Sequence, residues 1–198
     1  MKALCVYCGS SLGATPLYAE AAQTLAKALV DNQLALVYGG GNIGLMGVIA
    51  DEVMRLGGEV TGVIPQALLD KEVGHLQLTH LHVVKDMHER KAMMAELSDG
   101  FIAMPGGIGT LEELFEVLTW SQLGLHEKPI GLLNVLGFYD GLTQFIRHLV
   151  TEQFLREEHA SLLMYENNAP ALVARFKSYQ PRGGHTILEP AEAKIIVP

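Results

Sequence analysis

The chain has 198 residues, of which 49% are apolar and 18% are charged, and its formal net charge is −8. This length and apolar content predict one globular domain with a sizeable core and exclude a disordered chain. The acidic balance excludes a broad basic surface for nucleic acid, and no apolar stretch approaches the roughly 20 residues of a membrane span. The start, MKALCVYCGSS, indicates a first strand rather than a secretory leader, so we expect a cytoplasmic location.

Short apolar runs alternate with segments of helical periodicity along the chain. The predicted strands are 3–8, 34–38, 60–65, 81–84, 101–104, 128–135 and 161–165, and the predicted helices are about 16–32, 45–56, 87–97, 111–124, 138–154 and 169–179. Strands that are apolar throughout and alternate with helices predict an α/β fold, a single Rossmann-like domain whose parallel sheet has helices on both faces. We assign residues 1–179 to this domain and 180–198 to a C-terminal tail.

Ligands of such sheets bind at the carboxyl ends of the strands, where this chain has two glycine-rich turns. The first turn, 39–44, fits the G-x-G-x-x-G dinucleotide pattern, but the next strand ends in Pro65 and Gln66 instead of the acid that would hold a ribose. We therefore favour the close approach of a phosphate or of another backbone over NAD. Candidate binding residues at these strand ends are Ser10, Gly40 and Gly41.

The second turn, PGGIGT at 105–110, places three glycines and a threonine at the start of a predicted helix. Glycine removes the Cβ that would block a ligand, and consecutive N–H groups in such a turn can converge on an anion. Thr110 is expected to cap the helix and to offer a hydroxyl to a phosphate. A tight turn with an N-cap would also contain Thr110, but it does not need three glycines.

Two adjacent acids, Glu112 and Glu113, follow that turn, and both could simply face the positive end of the helix dipole. Helical spacing places Glu113 on the side of Val117 and Trp120. This position predicts partial desolvation and raised basicity, which suit a general base or an anion facing a developing cation.

The predicted helix 87–97 has a basic pair at Arg90 and Lys91, and Arg90 lies on its apolar stripe of Met87, Met94 and Leu97. Such an arginine either extends to the surface or faces a cleft. Because the protein is acidic, an inward pair of cations needs an anionic partner, for which Glu113 and a substrate phosphate are the candidates.

Cysteine and histidine give weaker signals. Cys5 and Cys8 form C-x-x-C inside a predicted strand, where their side chains point to opposite faces, so we interpret them as buried structural thiols rather than a redox pair. His75, His80, His82 and His88 cluster loosely but lack the spacing of a zinc site, so we expect no metal.

Four blocks together, CVYCGSS, VYGGGNIGLMG, MHERK and PGGIGTLEE followed by EVLTWSQLG, closely resemble the LOG ("lonely guy") family over about residues 5–154. These are cytokinin riboside 5'-monophosphate phosphoribohydrolases, many once labelled lysine decarboxylases. The resemblance implies hydrolysis of AMP and N6-prenylated AMP to free base and ribose 5-phosphate, no cofactor, and a homodimer with the site near the subunit contact.

The resemblance also implies residue roles, with Arg90 and Glu113 as the catalytic pair. The substrate-binding positions that it implies, beside Arg90 itself, are Glu72, Lys91, Gly106, Gly107, Ile108, Gly109, Thr110, Leu111, Glu112 and Thr119. Two alternatives stay open: a Rossmann-like carrier or sensor that holds a nucleotide without cleaving it, and an NAD enzyme. A pyridoxal-phosphate decarboxylase would need a Schiff-base lysine with an acidic partner for the ring nitrogen, an arrangement that the sequence does not suggest.

Overall fold

Seven parallel strands form the central sheet of the computed structural model, which describes residues 1–71 and 74–181. The strands are β1 (Ala3–Tyr7), β2 (Ala35–Tyr38), β3 (Val60–Pro65), β4 (His80–Val84), β5 (Phe101–Ala103), β6 (Ile130–Leu133) and β7 (Leu163–Glu166). Their order across the sheet is β4-β3-β2-β1-β5-β6-β7, and every neighbouring pair is parallel. The Rossmann-like α/β fold predicted from the alternating pattern is therefore confirmed.

Helices cover both faces of this sheet. They are α1 (Leu17–Asp31), α2 (Gly44–Arg55), α3 (Gln66–Leu69), α4 (Met87–Glu96), α5 (Ile108–Gln122), α6 (Asp140–Thr151), α7 (Glu157–Ala160) and α8 (Ala169–Lys177). One hydrophobic core lies under α1, α2 and α8, and a second lies under α4, α5 and α6. In the part of the chain that the structure describes, no helix combines the length and the apolar character needed to cross a membrane.

The central strand β1 shows why both faces must be covered. Leu4 and Val6 point into the first core, whereas Cys5 and Tyr7 point into the second. Cys5 and Cys8 are buried, free, and belong to different cores, as the strand spacing predicted. Burial raises the pKa of both thiols well above the ordinary range, which keeps them protonated and poorly nucleophilic.

Two helix starts differ from the predicted ones by more than one residue. Helix α5 begins at Ile108, three residues before the predicted start, because two glycines of the second turn are already close to or inside the helix. The predicted helix 138–154 begins only at Asp140, after a single 3-10 turn at Val135–Gly137 in which Leu136 has a φ of 53°. The division at residue 179 stays a prediction, since most of the proposed tail lies outside the described residues.

The order of the strands defines the place for a ligand. The chain leaves β1 toward β2, β3 and β4, then crosses back so that β5 pairs with the other edge of β1. The carboxyl ends of β1, β2 and β5 therefore surround the topological switch point, where ligands of open α/β sheets bind.

Candidate active site

Three strand ends pack directly against one another at this switch point. The Gly9 N–H donates to the Pro105 carbonyl at 3.1 Å, and the Leu45 N–H donates to the Gly9 carbonyl at 3.0 Å. The loop after β1 thus joins the first glycine turn to the second. At Gly44, whose φ is +60°, an added Cβ would lie 2.2 Å from the carbonyl carbon of Ser10, so this contact requires glycine.

The second glycine turn leaves the start of α5 open. Gly107 is the N-cap of α5 and no side chain caps the helix, so its first amide N–H groups have no acceptor within the helix. A Cβ added at Gly107 or at Gly109 would meet no atom within 4 Å. An uncapped helix start with free space before it is a ready site for an anion.

Thr110 does not cap this helix, contrary to the sequence prediction. Its side chain is buried, and its Oγ1 lies only 2.2 Å from where a Cβ of Gly106 would stand. Gly106 is therefore needed to admit the threonine, while the cap position belongs to Gly107. The error arose because the helix starts earlier than its glycines suggested.

Arg90 and Glu113 form a buried ion pair between α4 and α5. Arg90 Nη1 donates to Glu113 Oε1 at 3.0 Å, and the two side chains are only 10% and 11% exposed. Glu113 lies four residues after Gly109, so both face the same side of α5. The carboxylate thus lies one helical turn from the open anion site.

The environment of Glu113 makes it a stronger base than an ordinary glutamate. Burial raises the pKa of Glu113, and the Arg90 guanidinium opposes that rise without cancelling it. Glu112 raises the pKa further and Lys91 lowers it. The raised pKa confirms the direction predicted from the apolar flank of the helix. It fits a carboxylate that acts as a general base or faces a developing positive charge.

Lys91 is also largely buried, but it has two carboxylate partners on α5. Its Nζ lies 2.6 Å from Glu112 Oε1 and 2.9 Å from Glu116 Oε1. Burial acts to lower the pKa of Lys91, but the two hydrogen bonds outweigh it and the pKa is raised. Glu116 was not among the predicted site residues, although its spacing from Glu112 on the helix could have indicated it.

The remaining predicted residues lie in different surroundings. Ser10 is exposed at the end of β1, and Gly40 is buried with its carbonyl accepting the His75 N–H at 2.8 Å. Gly41 forms a bridge to Gly74. Leu111 is half-buried, while Ile108 is 82% exposed at the start of α5.

Thr119 is exposed in the last turn of α5, and its hydroxyl donates to the Phe115 carbonyl at 2.7 Å. Glu72 lies outside the described residues. Among the described residues, these assignments to substrate binding stay predictions.

Within residues 1–71 and 74–181, no three His, Cys, Asp or Glu side chains converge as metal ligands. Instead, His75 Nε2 contacts Asp51 Oδ1 at 2.9 Å, and its Nδ1 accepts the Gln77 N–H at 3.3 Å, which places the ring proton on Nε2. These residues line a cavity of about 610 Å³. Neither Arg90 nor Glu113 lines this cavity, so the candidate active site is located by the ion pair and the open helix start.

Comparison with curated proteins finds close relatives over most of the chain. The cytokinin riboside 5'-monophosphate phosphoribohydrolase LOG5 of Arabidopsis thaliana is 49% identical over 180 residues, which cover 91% of this chain and 79% of that protein. The phosphoribohydrolase LOG of Oryza sativa subsp. japonica is 48% identical over the same share of this chain and 74% of its own length.

Solved structures share the fold at lower identity. The molybdenum cofactor binding protein of Rippkaea orientalis matches with a TM-score of 0.67 and 19% identity, covering 90% of this chain and 97% of that one. The molybdenum cofactor carrier protein of Chlamydomonas reinhardtii matches with a TM-score of 0.67 and 19% identity, covering 89% of this chain and 96% of that one. At such identities the likeness supports the fold alone.

A family model described as "Possible lysine decarboxylase" matches residues 46–176, a range that contains both Arg90 and Glu113. The curated relatives that match across this range carry phosphoribohydrolase names. With the four sequence blocks, the fold and this level of identity in agreement, the chain belongs to the LOG family of cytokinin riboside 5'-monophosphate phosphoribohydrolases.

Proposed function

We propose that the protein hydrolyses the N-glycosidic bond of nucleoside 5'-monophosphates, releasing a free base and ribose 5-phosphate. AMP and N6-prenylated AMP are the proposed substrates, and the second of these, a cytokinin nucleotide, is in keeping with the names of the curated relatives. The observation that best supports this reaction is the buried Arg90–Glu113 pair, one helical turn from an uncapped glycine-rich helix start.

The helix start is the proposed anchor for the 5'-phosphate. Free N–H groups and the positive end of the helix dipole favour a phosphate there, and Gly107 and Gly109 leave room for it. The binding energy of the phosphate, which is remote from the reacting bond, fixes the position of the ribose. The attack by a bound water then has the entropic advantage of an intramolecular reaction.

Glu113 is the proposed catalytic carboxylate. Cleavage of the N-glycosidic bond builds positive charge on the ribose ring, and an anion close to the anomeric carbon stabilises that oxocarbenium-like state. A carboxylate of raised pKa can equally take a proton from the attacking water. Burial strengthens both effects because the surroundings of the carboxylate screen charge poorly.

Arg90 is the proposed partner that keeps Glu113 ionised and oriented. Without a cation nearby, a carboxylate this buried would favour its neutral form. The other proposed substrate contacts are Ser10, Gly40, Gly41, Glu72, Lys91, Gly106, Ile108, Thr110, Leu111, Glu112 and Thr119.

The direct test is incubation with AMP and with N6-prenylated AMP, followed by chromatographic measurement of free base. We expect the unaltered protein to release base, and Glu113→Gln and Arg90→Ala to be about 10³-fold slower. Binding of AMP to Glu113→Gln is measured by calorimetry, because the variant should keep the phosphate site.

The ion pair between Glu52 and Arg55 on α2 provides matched controls. Glu52→Gln and Arg55→Ala repeat the same chemical changes on α2 and should leave base release unchanged. Tight binding of AMP by the unaltered protein with no release of base would instead support a nucleotide carrier and contradict the hydrolase.

We also propose a homodimer formed through α4 and α5, which places the site near the subunit contact. Large apolar side chains on and beside these helices are exposed, namely Met87, Leu97, Phe115, Leu123 and Leu125. Exposed apolar side chains that lie together are typical of association surfaces, so we propose that these five contribute to the subunit contact. Light scattering coupled to size exclusion should give twice the 21.5 kDa chain mass, and Phe115→Glu should lower it.

The proposed location is the cytoplasm. The two cysteines are free thiols, as expected in a reducing compartment, although their burial alone would also protect them. Cell fractionation with an antibody to the protein tests this location.

A further inference from the structure

The guanidinium of Arg90 is fixed by the ends of two neighbouring strands as well as by Glu113. Its Nε donates to the Val63 carbonyl on β3 at 3.1 Å, and its Nη2 donates to the Gly39 carbonyl after β2 at 3.4 Å. With these two contacts in place, its Nη1 donates to Glu113 Oε1 at 3.0 Å. Because the guanidinium is planar and rigid, contacts on two of its nitrogens determine where the third one points.

Gly39 matters to this arrangement through the atom that it lacks. A Cβ added at Gly39 would lie 1.8 Å from Arg90 Nη2 and 3.0 Å from Arg90 Cζ. The guanidinium therefore occupies the volume that any other residue at position 39 would need for its side chain.

The backbone itself does not demand glycine at this position. Gly40 and Gly44 in the same turn have φ values of +73° and +60°, which side chains rarely adopt, but Gly39 does not have a positive φ. The clash with Arg90, rather than the backbone conformation, therefore explains why glycine is needed at position 39.

We propose that Gly39 is a positioning residue for catalysis. Because Gly39 has no side chain, the Arg90 guanidinium can bind the carbonyl groups of Gly39 and Val63, and in that position its Nη1 points at Glu113. The first glycine of this turn then serves the reaction through a side chain of α4 instead of through contact with a phosphate. This inference rests on the proposed hydrolase function for its catalytic consequence, but not for its structural one.

A methyl group at position 39 should displace the guanidinium and leave Glu113 without its cation. The other groups that influence the pKa of Glu113, or whose own pKa Glu113 raises, are Lys91 of α4, Glu112 of α5, Cys5 and Tyr7 of β1, and Cys8 just after β1. Lys91 is already shared by Glu112 and Glu116, so it is a poor replacement for Arg90. The neutral form of Glu113 is favoured, and the working anion becomes rarer.

A double-mutant cycle in thermal unfolding tests the structural part. We expect Gly39→Ala to lower Tm by about 5 °C in the natural background, and to leave Tm unchanged within error in an Arg90→Ala background, where no guanidinium is present. Gly141→Ala is the matched control, since its added Cβ meets open space; its effect should be the same in both backgrounds. An equal loss of Tm from Gly39→Ala in both backgrounds would overturn the inference.

The release of base from AMP tests the catalytic part. We expect Gly39→Ala to lower kcat about 100-fold with KM changed less than about threefold, and to cause no further loss in the Arg90→Ala background. A kcat within about twofold of the unaltered protein would contradict the positioning role. If the unaltered protein releases no base, the hydrolase proposal fails, while the Tm cycle still decides whether Gly39 positions Arg90.

Discussion

The two glycine-rich turns look alike in the sequence, but the space beside their glycines differs: protein atoms fill it at two glycines of the first turn, and it is open at two glycines of the second. In the first turn the missing side chains leave room for other parts of the protein, since a Cβ would strike Arg90 at Gly39 and the Ser10 backbone at Gly44. In the second turn Gly107 and Gly109 face open space. The first turn therefore organises the protein around the site, and the second provides room for a ligand.

This difference shows what a glycine pattern can and cannot indicate. The G-x-G-x-x-G match correctly located a strand-to-helix turn. However, the space beside its last glycine, Gly44, is occupied by the Ser10 backbone and is not available to a pyrophosphate. The signal for a ligand is the empty volume beside the glycine, which a sequence does not contain. Substitutions in the two turns should separate their roles.

The largest effect is expected from Gly44→Ala in the first turn. The added methyl would lie 2.2 Å from Ser10 backbone atoms, and the φ of +60° disfavours alanine. Backbone cannot yield as a flexible side chain does, so the free energy of unfolding should fall by about 2–4 kcal/mol. Urea denaturation measures this, and a loss below about 0.5 kcal/mol would show that the turn is not a packing element.

Gly109→Ala in the second turn should have the opposite profile. Its methyl meets no protein atom and improves helix propensity, so the free energy of unfolding should hold or rise by up to about 1 kcal/mol. The same methyl intrudes on the proposed phosphate site, and KM for AMP should rise about tenfold. Steady-state kinetics beside urea denaturation checks both halves, and an unchanged KM would mean that this space holds no substrate.

The pH dependence of kcat should distinguish the turns further. Because burial raises the pKa of Glu113 and the anion is the working form, kcat should fall as the pH drops through a value above the usual pKa of glutamate. Gly39→Ala should move this acid limb to higher pH, since Arg90 no longer favours the anion, and Gly109→Ala should leave it in place. An acid limb that is identical in both variants would contradict the link between the first turn and Glu113.

The smallest effect is expected from a substitution remote from both turns. The Asn168 side chain accepts the Ala171 N–H at 2.8 Å and caps α8, so Asn168→Ala should cost about 1 kcal/mol of stability. Base release should be unchanged at temperatures where the protein is folded. A loss of activity there would show that general destabilisation, rather than a local change, explains the effects of the glycine variants.

Most of the architecture was predictable because most strands are apolar on both faces and most helices have one apolar side, although the edge strand β4 is largely exposed. The predicted third strand agrees with β3, and most helix boundaries differ by one or two residues. The start of α5 was not predictable, since glycines ordinarily argue against a helix and only the surrounding packing reveals that two of them lie at its first turn. Leu136, with a φ of 53°, likewise gives no local signal of the break before α6.

The candidate site was partly predictable for a similar reason. Helical spacing placed Glu113 on an apolar flank, and charge balance left Glu113 and a substrate phosphate as candidate partners for Arg90, of which the structure shows Glu113. Lys91 was expected to face Glu113 or a substrate phosphate, but the partners of its Nζ are Glu112 and Glu116, a contact between two helices that spacing along one of them cannot predict. The importance of Gly39 depends on its distance to the Arg90 guanidinium, whereas in the sequence Gly39 is only the first glycine of the G-x-G-x-x-G match.

The position of β1 at the centre of the sheet has a consequence for biosynthesis. Cys5 pairs with Val37 on one side and with Phe101 on the other, and Asp99 accepts the N–H groups of Lys2 and Ala3. While the ribosome is still making the first four strands, the second edge of β1 has no partner and is open to other extended chains. We expect the nascent protein to be most prone to aggregation during this interval. The tendency to aggregate should fall once β5 has emerged and pairs with the second edge of β1.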